Sequence, residues 1–213
     1  KPKIVQSDLS KAMEPGFVDQ IWEQVKDLDI SILINNVGID YIEYFNDLTE
    51  QQVERMLAIN VVAGTLLTKR FLPTLAKRKK AAVITLSSLA ARLPIRAYNL
   101  YSASKAYSDM LSLTLSKEHK RVDFMSVRPS EVSTPMTNYK NDIFTVKVEQ
   151  CVSGIIGDFS RGKLSTNGHW NHKFQEYLFT SFIPQWGFDF LWNNFILHDV
   201  RVERELPPIK PVL

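Results

Sequence analysis

Tyr101 and Lys105 are the pair whose residue types and spacing best suit acid–base chemistry. Residues four apart share one face of a helix, so the phenol and the ammonium can point into one site. Because a nearby positive charge favours the phenolate, we expect Lys105 to lower the pKa of Tyr101 and to make it a proton donor or acceptor near neutral pH. The alternative, a surface tyrosine and lysine on an ordinary helix, is commoner for such a pair alone.

The elements that must position this pair follow an alternating pattern. Short β-branched runs alternate with longer helical stretches, which predicts a parallel sheet with helices on both faces. The predicted strands are residues 3–5 (a strand end), 30–34 (buried on both faces), 82–86 and 122–127. The predicted helices are residues 17–26, 50–75 (capped by Thr49 and bent or ended by Pro73) and 101–117.

Polar residues follow each predicted strand at the point where it ends. They are Asp8, the segment 35–38 (Asn-Asn-Val-Gly), Ser87 and Ser88, and the segment 128–130 (Arg-Pro-Ser). Each alone could be a turn former or a helix cap. The carboxyl ends of parallel strands, however, form the edge where ligands bind. Four coincidences at one edge therefore favour a binding cleft.

These residues resemble the short-chain dehydrogenase/reductase family. The resemblance is carried by Asn-Asn-Val-Gly at 35–38, by Asn60, and by Ser88 placed thirteen residues before the Tyr-Ser-Ala-Ser-Lys of 101–105. The segment 132–137 and the aromatic tail resemble the branch with the 17β-hydroxysteroid dehydrogenases and the very-long-chain 3-oxoacyl-CoA reductases. The implied fold is an α/β, Rossmann-like doubly wound parallel sheet without its first βαβα portion. We expect a partial reductase domain at 1–160 and an aromatic-rich extension at 161–213.

The resemblance also implies roles. The reaction would be hydride transfer with NADP or NAD, with a slight preference for NADP. The implied catalytic residues are Tyr101 as general acid, Lys105 to lower its pKa and hold the nicotinamide ribose, Ser88 to bind the carbonyl oxygen, and Asn60 to hold a water that links Lys105 to solvent. The alternative for Asn60 is a helix asparagine that satisfies a neighbouring strand. Further implied cofactor contacts are Pro129, Val132 and Thr134 near the nicotinamide, and Asp8, Asn36, Val37 and Gly38 on the adenosine side.

The sequence departs from the family pattern at two places. No Gly-rich phosphate turn precedes Asp8, so we expect an N-terminal portion before Lys1. Ser130 stands where the family commonly has a glycine after Pro129, which is tolerable if Ser130 has a negative φ.

Composition excludes several classes of function. The net charge of +3, with a single short basic run at 77–80, does not indicate nucleic-acid binding. Cys151 is the one cysteine, so no internal disulfide can form, which fits a reducing compartment. His169, His172 and His198 lack the spacing of metal ligands, and we expect no metal site.

The tail holds ten of the chain's 23 aromatic residues between Trp170 and Phe195. This composition suits an interfacial membrane segment, a lid over a hydrophobic substrate, or a surface that packs on a partner protein. Core packing of a C-terminal helix is the plain alternative. The Pro-rich segment 207–211 predicts an extended arm.

Two functions follow as hypotheses. The first is a reductase for a lipophilic small molecule, a steroid or a 3-oxoacyl-CoA, at a membrane through residues 170–200. The second is a reductase-derived structural subunit of a membrane assembly without turnover. The family branch implies a location at the endoplasmic reticulum, with a mitochondrial membrane as the alternative. The family also implies a homodimer through the helices at 50–75 and 101–117.

Overall fold

The computed structural model describes residues 2–206. Four parallel strands form a sheet in the order β1-β2-β3-β4. The strands are β1 (Ile32–Asn35), β2 (Ala82–Leu86), β3 (Asp123–Val127) and β4 (Ser165–Thr166). The helices are α1 (Phe17–Val25), α2 (Glu50–Leu57), α3 (Gly64–Leu75), α4 (Asn99–Glu118), α5 (Val148–Ser160), α6 (Trp170–Tyr177), α7 (Gln185–Leu191) and α8 (Leu197–Glu203). This alternation confirms the predicted α/β Rossmann-like fold.

The sheet register brings the carboxyl ends of the strands to one edge. Asn35 of β1 lies beside Thr85 of β2, and Leu86 at the end of β2 lies beside Val127 at the end of β3. Val127 in turn lies beside Thr166 of β4. The polar segments that follow β1, β2 and β3 therefore start from the same edge, as predicted, whereas Asp8 follows no strand of the described sheet.

A hydrophobic core holds the helices against the sheet. Its buried residues come from α3, β2, β3 and the turns before them: Phe71, Leu75, Ala81, Val83, Val122 and Phe124. Trp22 of α1 packs edge-on against Phe71, with ring centroids 5.1 Å apart. Burial of these apolar side chains fixes α1 and α3 relative to the strands.

The predicted helix at 50–75 is present in three pieces. Thr49 caps it, because its Oγ1 accepts from Gln52 N at 3.2 Å while Gln52 Oε1 accepts from Thr49 N at 2.8 Å. Between α2 and α3 the backbone is a π-helix over Ala58–Ala63. Pro73 lies in the last turn of α3, which ends two residues later at Leu75.

Two strand predictions were wrong in part. Residues 3–5 form no strand, since no strand of the described sheet lies beside them to share backbone hydrogen bonds. β1 is not buried on both faces, because Ile32 and Ile34 are 49 % and 57 % exposed. Alternate residues share one face of a strand, and nothing in residues 2–206 covers that face of β1 fully.

The tail consists of several short helices and not of one long apolar helix. α6, α7 and α8 are joined by π-helical turns at Leu178–Phe182 and Trp192–Ile196. Among residues 2–206, every helix is too short or too polar to span a bilayer. β4 adds to the sheet from within the predicted extension, and the division at residue 160 stays a prediction. The predicted arm at 207–211 lies outside the described residues.

Candidate active site

Tyr101 and Lys105 lie one turn apart on α4, as predicted. Lys105 Nζ is 5.6 Å from the centroid of the Tyr101 ring and donates a hydrogen bond to the Leu86 carbonyl at 2.9 Å. Ser87 Oγ donates to the Lys105 carbonyl at 2.7 Å, which ties α4 to the end of β2. The pair is therefore held at the carboxyl end of β2, and the plain surface alternative is wrong for Lys105, which is 6 % exposed.

Ser88 reaches the same place from the end of β2. It begins a short 3₁₀ helix at Leu89–Arg92, and its Oγ accepts from Ala90 N at 3.1 Å. A side-chain hydrogen bond between Ser88 and Tyr101 lowers the pKa of the phenol. The structure thus brings together Ser88, Tyr101 and Lys105, whose catalytic roles stay predictions.

The predicted acidity of Tyr101 is wrong for this state of the protein. Burial raises the pKa of Tyr101 to about 12, because the phenolate loses its hydration, and the Asp40 carboxylate raises it further. Burial also lowers the pKa of Lys105 to about 8. Desolvation therefore penalises both charged forms and outweighs any help the ammonium gives the phenolate.

Asn60 holds the loop after β1. Its Oδ1 accepts from Ile39 N at 2.9 Å, and its Nδ2 donates to Ile39 O at 2.8 Å and to Ser104 Oγ at 3.1 Å. Asn60 lies in the π-helix between α2 and α3, a backbone form frequent at functional sites. The side chain of Asn60 thus binds the loop after β1 and α4 rather than a neighbouring strand, as the alternative had it, and its water-holding role stays a prediction.

Gly38 lies against Lys105. A Cβ at position 38 would come within 3.0 Å of Lys105 Nζ, so a larger residue would push the amine away. Asn36 and Val37 line a cavity together with Leu9, the neighbour of Asp8. Asp8 accepts from Ser10 N at 3.0 Å, and its hydrogen bonds to Ser10 hold the pKa of its carboxyl below the usual range. The segment predicted for the adenosine side thus gathers beside β1.

Pro129, Val132 and Thr134 follow β3 at the same edge. The Pro129 carbonyl accepts from Leu89 N at 2.8 Å, directly beside Ser88. Val132 forms a bridge with Val146, and Thr134 N donates to Thr137 Oγ1 at 3.1 Å. Ser130 has no positive φ, so it fits the place of the glycine, and its Oγ donates to Gln175 Oε1 at 2.7 Å.

Sequence reasoning missed the residues that the tail adds to this site. Tyr98 packs edge-on against Tyr101 with ring centroids 5.6 Å apart, and Trp192 packs on the other side of Tyr98 at 5.5 Å. Arg204 forms an ion pair with Asp40 at 2.7 Å. A charged residue two positions after Gly38, at the end of a strand, was the available signal for Asp40. The sequence held no comparable signal for its partner in the tail, Arg204.

The matched family accounts for this arrangement. A family model described as short chain dehydrogenase matches residues 3–143, which include every predicted site residue. The chain belongs to the short-chain dehydrogenase family.

The relatives agree with the predicted branch. The chain is 33% identical over 208 residues to the human "Inactive hydroxysteroid dehydrogenase-like protein 1", which covers 92% of this chain and 60% of that protein. It is 31% identical over 185 residues to "Very-long-chain 3-oxoacyl-CoA reductase" of Anas platyrhynchos, covering 84% of this chain and 58% of the relative. The chain thus spans about three fifths of the length of these relatives.

Solved structures similar to this chain include complexes with NADPH, NADP and NADH. The short-chain dehydrogenase from Sphingobium yanoikuyae in complex with NADPH has a TM-score of 0.67 and 25% identity, covering 76% of this chain and 65% of that one. The residues of this chain are compatible with such a group, because Gly38, implied for the adenosine side, leaves room for Lys105 Nζ, implied for the nicotinamide ribose, where a Cβ would come to 3.0 Å.

Proposed function

We propose that this chain is the catalytic part of an NAD(P)(H)-dependent carbonyl reductase or alcohol dehydrogenase for a lipophilic ketone, a steroid or a 3-oxoacyl-CoA. The observation that carries the proposal is the meeting of Ser88, Tyr101 and Lys105 at the carboxyl edge of the sheet. The named 3-oxoacyl-CoA reductase among the relatives supports the substrate class.

The chain's own residues would bind and protonate the ketone. A bound nicotinamide would supply the hydride for reduction. Ser88 Oγ would donate a hydrogen bond to the carbonyl oxygen as negative charge develops there. Tyr101 would transfer its phenolic proton to that oxygen. Because burial raises the pKa of Tyr101 to about 12, the phenol is protonated at neutral pH, which is the form that a general acid in reduction needs.

Lys105 would hold the ribose of the cofactor and restore the proton of Tyr101. Its pKa of about 8 places it within reach of both protonation states near neutral pH. Asn60 would hold a water on the route to solvent while keeping its bonds to Ile39. We further propose that this chain prefers NADP to NAD as its cofactor. The NADPH bound to the Sphingobium yanoikuyae protein supports this preference.

A wall of aromatic and aliphatic side chains supports a lipophilic substrate. It begins beside Tyr101 with Tyr98 and continues through Trp192 of the tail. Behind it lies an apolar cluster in which Leu89, Leu93 and Phe188 are buried. A hydrophobic ketone placed at Tyr101 would lie along this wall and gain from leaving water.

The test is reduction of a ketone by the full polypeptide with NADPH. A panel of steroid ketones and 3-oxoacyl-CoA esters of rising chain length would be followed by loss of NADPH absorbance. We expect turnover that falls by about 10²–10⁴-fold in Tyr101→Phe, the usual contribution of a positioned general acid. Tyr107→Phe, an exposed tyrosine of the same helix, is the matched control. Equal turnover in the two variants would refute the role of Tyr101.

A second candidate is a reductase-derived structural subunit without turnover. It is favoured by the relatives named "Inactive hydroxysteroid dehydrogenase-like protein 1". The same panel separates the two candidates. Absence of any turnover, with tight binding of a membrane partner, would support the structural subunit.

We also propose that the tail contacts a membrane surface. We propose the membrane of the endoplasmic reticulum, with a mitochondrial membrane as the alternative. Support comes from exposed aromatic side chains along α6, α7 and the π-helical turns: Trp170, Phe174, Tyr177, Phe182, Trp186, Phe190 and Phe195. Trp and Phe partition into the interfacial layer of a bilayer. Flotation with phosphatidylcholine vesicles should fall when Phe182 and Trp186 are both changed to Ser. The homodimer through α2, α3 and α4 stays a prediction, to be checked by sedimentation.

A further inference from the structure

The tail places an ion pair beside the proposed catalytic residues. Arg204 Nη1 lies 2.7 Å from Asp40 Oδ2, and the two side chains are 22 % and 9 % exposed. The pair joins the loop after β1 to the end of the tail, 164 residues further along the chain. Burying a carboxylate to this extent costs free energy unless the carboxylate is paired, and Arg204 is the partner of Asp40 here.

The residues just before Asp40 lie against Lys105 and are fixed in place. Asn60 binds both the N–H and the carbonyl of Ile39, which fixes the backbone next to Asp40. Gly38, two residues before Asp40, lies against Lys105 Nζ. The backbone that carries Asp40 is therefore fixed within two residues of a contact with the amine, and Arg204 holds the carboxylate itself.

The tail is fastened to the same loop. Arg201 donates to the Ile42 carbonyl and pairs with Glu43 at 3.3 Å. Leu197 and Val200 of α8 pack in one apolar cluster with Ile42 and Ala97. These contacts seat α8 on the loop after β1 and present Arg204 to Asp40.

We propose that Asp40 is a positioning residue that supplies the counter-charge of Lys105, and that Arg204 of the tail moderates this counter-charge. The inference rests on the proposed function for its catalytic meaning. A carboxylate beside a buried amine favours the ammonium form, which is the form that can bind a ribose hydroxyl and pass a proton. The guanidinium of Arg204 offsets part of that field. The tail thereby tunes the charge of the catalytic centre.

The electrostatics of the surroundings agree with this arrangement. Burial lowers the pKa of Lys105, and the charge of Asp40 acts against that shift. Asp40 also raises the pKa of both Tyr98 and Tyr101, while Arg204 lowers the pKa of both. The titratable and charged groups that surround the pair are Tyr98 just before α4, Tyr101 and Lys105 on α4, Glu43 on the loop after β1, Glu131 after β3, and Arg201 on α8.

The experiment titrates Lys105 directly in the full polypeptide. Lysines labelled with ¹³C at Cε are followed by NMR from pH 6 to pH 11, with the Lys105 signal assigned by its loss in Lys105→Met. In Asp40→Asn the midpoint should fall, by on the order of one pH unit. In Arg204→Gln the midpoint should rise, because the Asp40 carboxylate is no longer neutralised. Midpoint shifts of opposite sign in the two variants would show that Asp40 favours the ammonium form of Lys105 and that Arg204 offsets this effect.

Glu43→Gln is the matched control. It breaks the neighbouring ion pair of the tail with Arg201, so it should lower stability while the Lys105 midpoint stays in place. Midpoints that move in the same direction in Asp40→Asn and Arg204→Gln, or that do not move, would overturn the inference. If Asp40→Asn does not fold, a rise in Arg204→Gln still supports the inference and an unchanged midpoint still overturns it.

The titration needs no turnover, so its outcome is separate from that of the ketone panel. Opposite shifts in a protein that reduces no ketone would uphold the counter-charge and end the proposed function. Ketone reduction by a protein whose Lys105 midpoint does not change in Asp40→Asn would uphold the proposed function and overturn the counter-charge.

Discussion

The catalytic edge and the tail are held in place by different kinds of contact. We use catalytic edge for the residues with proposed roles in catalysis or cofactor binding that meet at the sheet edge, Gly38, Asn60, Ser88, Tyr101 and Lys105, and tail for residues 170–206. The catalytic edge starts from strand ends in a regular register and from one face of a long helix. The tail is attached by long-range contacts of side chains, such as Trp192 Nε1 to the Arg96 carbonyl at 2.9 Å.

This difference suggests a division of labour. Regular backbone hydrogen bonds fix the catalytic edge, so a common chemistry can be kept there. A few polar contacts and aromatic packing fix the tail, so its sequence can change without loss of the sheet. Loops and extensions on a rigid scaffold are where specificity is set in many enzymes. We therefore expect the substrate range to be set by the tail and the reaction by the catalytic edge.

The largest effect on stability is expected where the two regions join. Arg128, just after β3, pairs with Asp109 of α4 at 3.0 Å and with Glu176 of α6 at 3.3 Å. Arg128→Met leaves the buried Asp109 and the half-buried Glu176 without their cation, so the free energy of unfolding should fall by about 3–5 kcal/mol. Urea unfolding followed by circular dichroism measures it.

The control for this prediction is an exposed pair. Arg161 binds Asp158 with 64 % of its side chain in solvent, so Arg161→Met should cost less than about 1 kcal/mol. Similar losses in the two variants would mean that the Arg128 network does not join the regions.

The second prediction concerns the cost of burying the catalytic amine. The pKa of Lys105 is about 8 in the folded protein, against an ordinary value of 10.5. Between these values the unfolded chain holds a proton that the folded chain lacks, so this group makes stability rise with pH. Below pH 8 the folded state bears the full penalty, up to about 3 kcal/mol at about 1.4 kcal/mol per pH unit.

Lys105→Met should therefore stabilise the protein near pH 7 and lose that gain as the pH approaches 10.5. The lost hydrogen bond to the Leu86 carbonyl offsets part of the gain. Thermal unfolding at pH 7 and pH 10 measures the difference. Lys117→Met, at an exposed position of the same helix, should show no such pH dependence. A variant at 105 that is less stable at both pH values would contradict the prediction.

The catalytic edge could be predicted from sequence because its signals are local. Tyr101 and Lys105 are four residues apart on a helix, and Ser88 follows a β-branched run directly. Such spacings fix direction and distance within one element. The pKa of Tyr101 could not be predicted in this way, since it depends on burial and on Ser88, Asp40 and Arg204, which come from three other segments.

The tail could not be predicted for the same reason that residues 3–5 were misassigned. An extended run becomes a strand when a neighbour accepts its hydrogen bonds, and that neighbour is distant in sequence. Likewise, nothing around Arg204 indicates that its partner is Asp40. Composition showed that the tail was aromatic, but it did not show which rings pack on the site and which face solvent.

The smallest expected effect tests one of those rings. Trp192 stacks on Phe188, with ring centroids 6.1 Å apart, and its indole N–H donates to the Arg96 carbonyl. Trp192→Phe keeps most of the aromatic contact and removes the hydrogen bond, so the free energy of unfolding should fall by about 0.5–1.5 kcal/mol. Trp186→Phe, at a position 76 % exposed, should change it by less than about 0.5 kcal/mol. If Trp192→Phe were as mild as its control, the indole hydrogen bond would not help to hold the tail, and the other contacts, such as the ion pairs to Asp40 and Arg128, would hold it instead.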